Sequence, residues 1–114
     1  MEDLSMLAQI GIVVVEVEPI KGYKIEFKSL DGNEETDVFS STTSAKDDFT
    51  KFDLIKKNTI AHAIRKLNGN SITLEERKIL IFKLQPPVIN LLWASYLENI
   101  VEPQNKILEE LKKK

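Results

Sequence analysis

The chain has 114 residues, of which 42% are hydrophobic and 30% are charged, and its formal net charge is −2. This length and balance fit one domain with one core and argue against wholesale disorder. The slight acidity gives no basis for electrostatic binding to nucleic acid, and the absence of cysteine excludes disulfides, thiolate zinc sites and cysteine nucleophiles.

The N-terminal third predicts a short helical stretch at residues 2–9 and then a strand. Valine and isoleucine crowd residues 12–17, and β-branched side chains favour strands because their χ1 freedom is already restricted. The apolar stretch at residues 10–15 is far too short to span a bilayer, and acidic residues precede it where a signal peptide would be basic. We therefore expect a cytosolic protein with no membrane partner.

A second strand is predicted where Tyr23, Ile25 and Phe27 alternate with charged residues, so that these three side chains face the core. Asp31-Gly32 predicts a hairpin turn, because both residues tolerate positive φ. The returning strand would then cover residues 35–40. These elements predict a small antiparallel sheet.

The polar run at residues 40–44 marks the boundary between a β-rich part, residues 1–44, and a helical part, residues 45–114. Ser44 with Asp47 resembles a capping box. Apolar residues then recur at helical spacing as far as Leu67, as one helix or as two in series. Gly69 suits the left-handed position that ends a helix.

Three further helices are predicted in the C-terminal half. Thr73 with Glu76 forms a second capping box, and the apolar run at residues 79–82 predicts a central, well-buried helix. Pro86-Pro87 ends that helix and begins the next, and Pro103 begins the last. The whole chain is thus predicted to be one α+β domain, with an N-terminal antiparallel sheet followed by a bundle of three to four helices.

No motif in the sequence indicates catalysis, a cofactor or a metal. His62 is the one histidine, and no carboxylate lies at i±4 from it on the same helical face. The four glycines form no phosphate-binding loop, and no nucleophile elbow is present. We therefore interpret His62 as structural and predict that the chain is not an enzyme.

An apolar stripe on the helix after Pro87 is the best candidate for a partner-binding surface. Val88, Leu92 and Tyr96 follow one i, i+4 row, which a small core can absorb. The predicted contact residues are those that widen or end this stripe: Ile89, Trp93, Tyr96 and Ile100. Tryptophan and tyrosine are over-represented at binding hot spots, so Trp93 is the best single candidate.

The second half also carries a pattern spread over five short segments. It reads KNTIAHAI at residues 57–64, NGNSI at 68–72, ER at 76–77, LQPPVI at 84–89 and LLWASY at 91–96. This pattern resembles small proteins of tailed phages that serve as tail assembly chaperones or baseplate-hub assembly proteins. Two departures are His62, where the family has a small or basic residue, and a longer, more β-branched segment before Tyr23.

The resemblance covers residues 57–96 and implies a non-enzymatic factor that binds phage tail or baseplate proteins, in the host cytoplasm or in the virion. A homo-oligomer is compatible with it. Such a factor would cover a partner's surface with an apolar face of the last two helices or with an open sheet edge. The alternative is a regulatory nucleic-acid binder with a helix-turn-helix around Gly69 and basic residues at 56, 57, 65 and 66. A small enzyme is the third possibility.

Overall fold

The fold is α+β, as predicted, and the computed structural model describes the backbone of residues 2–112 and the side chains of residues 4–112. Its strands form one antiparallel sheet that follows chain order: β1 Val14–Ile20, β2 Tyr23–Lys28, β3 Ile64–Leu67 and β4 Asn70–Ser71. The α-helices are α1 Glu2–Leu7, α2 Gly32–Ser40, α3 Asp48–Ala63, α4 Leu74–Lys83, α5 Pro86–Tyr96 and α6 Glu102–Lys112. A π-helical segment, Leu97–Val101, joins α5 to α6.

β1 and β2 form the first hairpin of the sheet. Val15 lies opposite Phe27, and Gly22, with φ of +89°, lies in the turn that joins the two strands. Ile25 and Phe27 are buried, which confirms the predicted alternation. Tyr23 is half exposed, because it is the first residue of β2 and lies at the rim of the sheet. The inward prediction therefore holds for two of the three side chains.

The predicted returning strand at residues 35–40 is wrong, because this segment is helix α2. Asp31 accepts a hydrogen bond from the Glu34 N–H at 2.8 Å, and the Glu34 carboxylate accepts one from the Asp31 N–H at 3.0 Å. This reciprocal capping box begins a helix where Asp-Gly alone would have made a turn. The third strand is β3 instead, which comes much later in the chain and pairs Leu67 with Ile25. The boundary at residue 44 therefore does not separate strands from helices.

α3 is one helix and not two in series. Asp47 caps it by accepting a hydrogen bond from the Thr50 N–H at 2.7 Å, so the predicted cap at Ser44 lies three residues too early. Asn58 does not interrupt the helix, because its side-chain amide donates to the Leu54 carbonyl at 2.8 Å. The helix ends at Ala63, and the predicted continuation to Leu67 is strand β3.

The turn around Gly69 joins two strands rather than two helices. Asn68 and Gly69 both have positive φ, 50° and 82°, as a tight β-hairpin turn requires. The predicted positive φ at Gly69 is confirmed, whereas its predicted role in ending a helix is wrong. The helix-turn-helix interpretation loses its structural basis here, since β3 and β4 flank the turn.

α4 begins and ends where the sequence predicts. The Thr73 hydroxyl accepts a hydrogen bond from the Glu76 N–H at 3.2 Å, and the helix ends directly before the proline pair that opens α5. Its predicted burial is wrong: Ile81 is buried, but the other three residues of its apolar run are largely exposed, namely Ile79, Leu80 and Phe82. α4 therefore lies at the edge of the fold and not at its centre.

No break separates α5 from α6. The π-helical segment continues directly into α6, and Pro103 lies in the first turn of α6. Proline lacks an N–H and cannot complete the regular helical ladder, and the wider turn just before it accommodates that loss. The predicted separate last helix is thus a continuation of one long helical element.

The core is shared by the sheet and the helices. Ile25 and Phe27 of β2 pack in one cluster with Ile60 of α3, Ile81 of α4 and Ile100 of the π-helical segment. Because this cluster draws on both halves of the chain, neither half has a separate core of its own among the described residues. α3 supplies the most deeply buried stretch, residues 58–63.

Candidate functional site

The N-terminal half of α3 and the facing side of α5 carry three aromatic side chains at the protein surface. Phe49 and Phe52 are three residues apart and therefore share one face of α3, with 85% and 54% of their surface exposed. Trp93 of α5 meets Phe52 edge to face, with 6.2 Å between ring centroids and an interplanar angle of 87°. We call Phe49, Phe52 and Trp93 the aromatic patch.

The aromatic patch is anchored to the core through Trp93. Trp93 stacks on Tyr96 at 5.8 Å between centroids, and Tyr96 in turn meets the fully buried Phe27 at 6.1 Å. Offset and edge-to-face aromatic pairs contribute about 0.5–1.5 kcal/mol each beyond the area they bury. A continuous row of rings therefore runs from the sheet through α5 to the exposed face of α3.

Lys56 ties the two helices together beside the aromatic patch. Its ammonium lies 5.6 Å from the Phe52 ring centroid and donates a hydrogen bond to the Asn90 side-chain carbonyl of α5 at 3.2 Å. A cation above an exposed aromatic ring contributes about 0.5–1 kcal/mol. Lys56 thus fixes the orientation of Phe52 rather than standing free for a ligand.

The predicted partner-binding residues are divided by the fold. Ile89, Tyr96 and Ile100 are only 2%, 7% and 0% exposed, so they pack in the core and offer a partner little surface. Burial also raises the pKa of Tyr96 to about 12, which keeps its phenol neutral. Of the four, Trp93 alone reaches the surface, and its contact with a partner stays a prediction.

Sequence reasoning missed Phe49 and Phe52 as surface residues, because their helical spacing matches a core stripe. The charged residues Asp53 and Lys56 were the available signal, because each lies four residues after one of the two phenylalanines and so shares its helical face. Residues 48–52 are exposed without exception. Periodicity reports one face of a helix, but it does not report how far the rest of the protein extends along that face.

A second cluster surrounds His62, which is 4% exposed near the end of α3. Its Nε2 lies 2.7 Å from a carboxylate oxygen of Asp37, and the Lys78 ammonium lies 3.2 Å from the same oxygen. Beside it, Arg65 pairs with Glu34 at 2.6 Å. Glu34 and Asp37 are three residues apart on α2, so the unpredicted helix is what brings both carboxylates to this histidine.

This cluster links three helices through ion pairs and hydrogen bonds. The pKa of Asp37 is lowered, chiefly by the hydrogen bond with His62 and then by Lys78. The His62 backbone carbonyl accepts hydrogen bonds from Arg65 and Arg77, so the backbone of His62 is held as well as its ring. Through Asp37, His62 and Lys78 it joins α2, α3 and α4.

Among the residues whose side chains are described, no group of three or more histidine, aspartate or glutamate side chains is arranged to hold a metal ion. None of the helices in the described part of the chain combines the length and the apolarity needed to cross a bilayer. Comparison with protein-family models, with curated proteins and with solved structures gives no significant match. The resemblance to phage assembly proteins therefore stays a prediction.

Proposed function

We propose that this chain is a non-enzymatic protein-binding factor whose contact surface is the aromatic patch. The observation that carries the proposal is the exposure of Phe49, 85%, on a helix whose other end is wholly buried. A lone exposed apolar side chain is ordinary on a protein surface. Phenylalanine and tryptophan are enriched at protein–protein interfaces, and the aromatic patch brings three such rings together from two helices.

The design of the aromatic patch suits a protein partner. Trp93 is partly buried and held by rings on both sides, so it loses little conformational freedom when a partner covers it. Phe49 and Phe52 extend the apolar surface along α3 beside it. An apolar face of a partner helix or sheet would bury all three rings and leave the charged neighbours at the rim.

A nucleic-acid partner fits this surface less well. Stacking of single-stranded bases on aromatic rings is accompanied by a surplus of cations that follow the phosphates. Here Lys57 pairs with Asp53 at 2.9 Å, Lys56 is bound to Asn90, and the start of α3 carries Asp47 and Asp48. The charges around the aromatic patch are therefore mixed.

The class of partner comes from the resemblance over residues 57–96, which includes Trp93. We propose that the chain acts in phage tail or baseplate assembly. It would cover an apolar surface of a tail or baseplate protein until that surface is buried in the assembled structure. Such a role requires exposed apolar area and shape complementarity, and it requires no tuned acid or base.

Site-specific photo-crosslinking tests this proposal. A chain with Phe49→p-benzoylphenylalanine, co-expressed with the proteins encoded beside it, should form one discrete crosslink to a tail or baseplate protein. The matched control carries the same group at Phe39, which is half exposed on α2 and lies outside the aromatic patch. Equal crosslinking from both positions, or none from position 49, would contradict the proposal.

A further inference from the structure

A pocket of about 360 Å³ opens between the rim of the sheet and helices α4 and α5. Ile25 and Leu67 line it from the sheet, Leu80 and Leu84 from α4, and Val88 from α5. Its volume falls within the range of small-molecule sites, about 300–1,000 Å³. The pocket is separate from the aromatic patch, because none of the three patch residues lines it.

This pocket is continuous with the core, because Ile25, Ile81 and Leu92 belong to both. Protein interiors are packed as densely as organic crystals, and voids larger than a water molecule are few. At its mouth, Tyr23 and Leu80 leave about half of their side chains exposed to solvent, which is unfavourable for apolar groups with no guest. An apolar guest would remove this surface from water.

Arg77 is the one charged residue among the described side chains that line the pocket. Its Nη1 donates to the backbone carbonyls of His62 and Ile64, which fixes the guanidinium at the wall. Its Nε is buried without a hydrogen-bond partner among residues 4–112, and no carboxylate within that range pairs with Arg77. Burial lowers the pKa of Arg77 and the nearby Arg65 lowers it further, while the Glu34 carboxylate opposes both effects.

We propose that this pocket binds a small amphiphile made of an aliphatic chain and a carboxylate, with the carboxylate at Arg77. The aliphatic walls suit the chain. The guanidinium is fixed and forms no salt bridge with a carboxylate of residues 4–112, since the nearby Glu34 pairs with Arg65, and it therefore suits an anionic head. Arginine presents several donors in a planar fork that matches carboxylate geometry, and such charge-assisted bonds are stronger than neutral ones. An entirely apolar guest would desolvate the guanidinium further and leave Glu34 as a negative charge shared between Arg65 and Arg77.

Three ligands of equal chain length test the head-group preference on the unaltered protein. Octanoate, octanamide and octylamine are titrated separately below their micelle concentrations while methyl NMR resonances are followed. We expect octanoate to bind saturably, with shifts centred on Ile25, Leu67, Leu84 and Val88, and at least about tenfold more tightly than octanamide. Octylamine should bind least. Equal binding of the three ligands, shifts centred elsewhere, or no saturable binding of octanoate would overturn the proposal.

Two variants assign the preference to Arg77. Arg77→Met should lower the affinity for octanoate to that for octanamide. Lys83→Met is the control, because Lys83 is on the same helix but outside the pocket lining, and it should change the affinity for neither ligand. Arg77 also holds two backbone carbonyls, so a second variant serves if Arg77→Met does not fold. Leu80→Glu places an acid three residues along α4 at the exposed mouth, and should weaken octanoate at least about tenfold by neutralising Arg77. Unchanged octanoate affinity in that variant would contradict the assignment.

Discussion

The two halves of α3 have opposite environments although they belong to one uninterrupted helix. Residues 48–52 are all exposed, whereas residues 58–63 are all buried, including the polar Asn58, Thr59 and His62. A helix of 16 residues is about 24 Å long, at about 1.5 Å per residue. The C-terminal half runs into the core beneath the sheet, and the N-terminal half extends beyond it.

This difference separates residues that the fold requires from residues that it does not. Every side chain at 58–63 has neighbours on all sides, so its identity is constrained by packing and by hydrogen bonding. Phe52 packs against Trp93 and is therefore partly constrained, but Phe49 is 85% exposed, and a fold alone would be served equally well by a polar residue at position 49. A phenylalanine at position 49 therefore calls for an explanation outside the fold, and we infer that this explanation is binding.

The largest expected effect lies in the buried half. Ile60→Ala should lower the free energy of unfolding by about 2–5 kcal/mol, because Ile60 is fully buried and its truncation leaves a cavity in the core. Urea unfolding of the variant measures it. A loss below about 1 kcal/mol would mean that the core around α3 is loosely packed and would remove the contrast between the two halves.

Trp93→Ala should lower both the stability of the fold and the affinity for the proposed partner. Losing the stack on Tyr96 and the contact with Phe52 should cost about 1–2 kcal/mol of stability, while binding to the partner should weaken by about 2 kcal/mol or more. Leu91→Ala, at a half-exposed position on the same helix, is the control. Complete unfolding of Trp93→Ala would make Trp93 a core residue and not a contact residue.

Gly69→Val tests the hairpin that follows the buried half. Gly69 has φ of +82° and nothing lies within 4 Å of an added Cβ, so the expected loss of about 1–2 kcal/mol arises from backbone strain alone. Gly32→Ala should leave the stability unchanged, because Gly32 begins α2 and does not have a positive φ. Thermal unfolding compares the two variants. Equal melting temperatures would show that the β3–β4 turn contributes little.

Asp37→Ala probes the polar end of the buried half, where the expected effect is smallest. Removing the carboxylate that pairs with His62 should lower the free energy of unfolding at neutral pH by about 1 kcal/mol. The loss is no larger because Asp37 is half exposed and screened by solvent. Because folding lowers the pKa of Asp37 from 3.8, its stabilising charge is fully present above that value and is lost as the pH falls through the lower folded value. The stability difference between the variant and the unaltered chain should therefore narrow below about pH 4. A difference that stays constant down to pH 2 would contradict this assignment.

Sequence reasoning succeeded where a signal is local. The strand alternation at Ile25 and Phe27, the side-chain cap by Thr73 and the proline pair that opens α5 each involve neighbours within a few residues, and the structure confirms all three. The capping box predicted at Thr73 is only half formed, because the Glu76 carboxylate accepts from the Thr73 hydroxyl at 3.1 Å and not from the Thr73 backbone N–H. At residues 31–34 two local signals compete, an Asp-Gly turn and a capping box, and the capping box prevails. Composition alone does not rank them.

The failures involve contacts between distant segments. β3 replaces the predicted third strand, the pairing of His62 with Asp37 depends on the unpredicted helix α2, and the exposure of Phe49 depends on which distant segments pack against α3. None of these is encoded within one helical or strand period. Trp93 was predicted as a contact residue from its residue type, but its ring neighbour Phe52 comes from a segment that periodicity assigned to the core.

The most direct test of the binding surface is the affinity of Phe49→Ala for a co-expressed tail or baseplate partner, measured beside Phe39→Ala. Both side chains are exposed phenylalanines, so the free energy of unfolding of each variant should lie within about 0.5 kcal/mol of that of the unaltered chain. We predict that Phe49→Ala weakens binding at least about tenfold and that Phe39→Ala leaves it unchanged. Equal affinities of the two variants, at equal stability, would contradict the account.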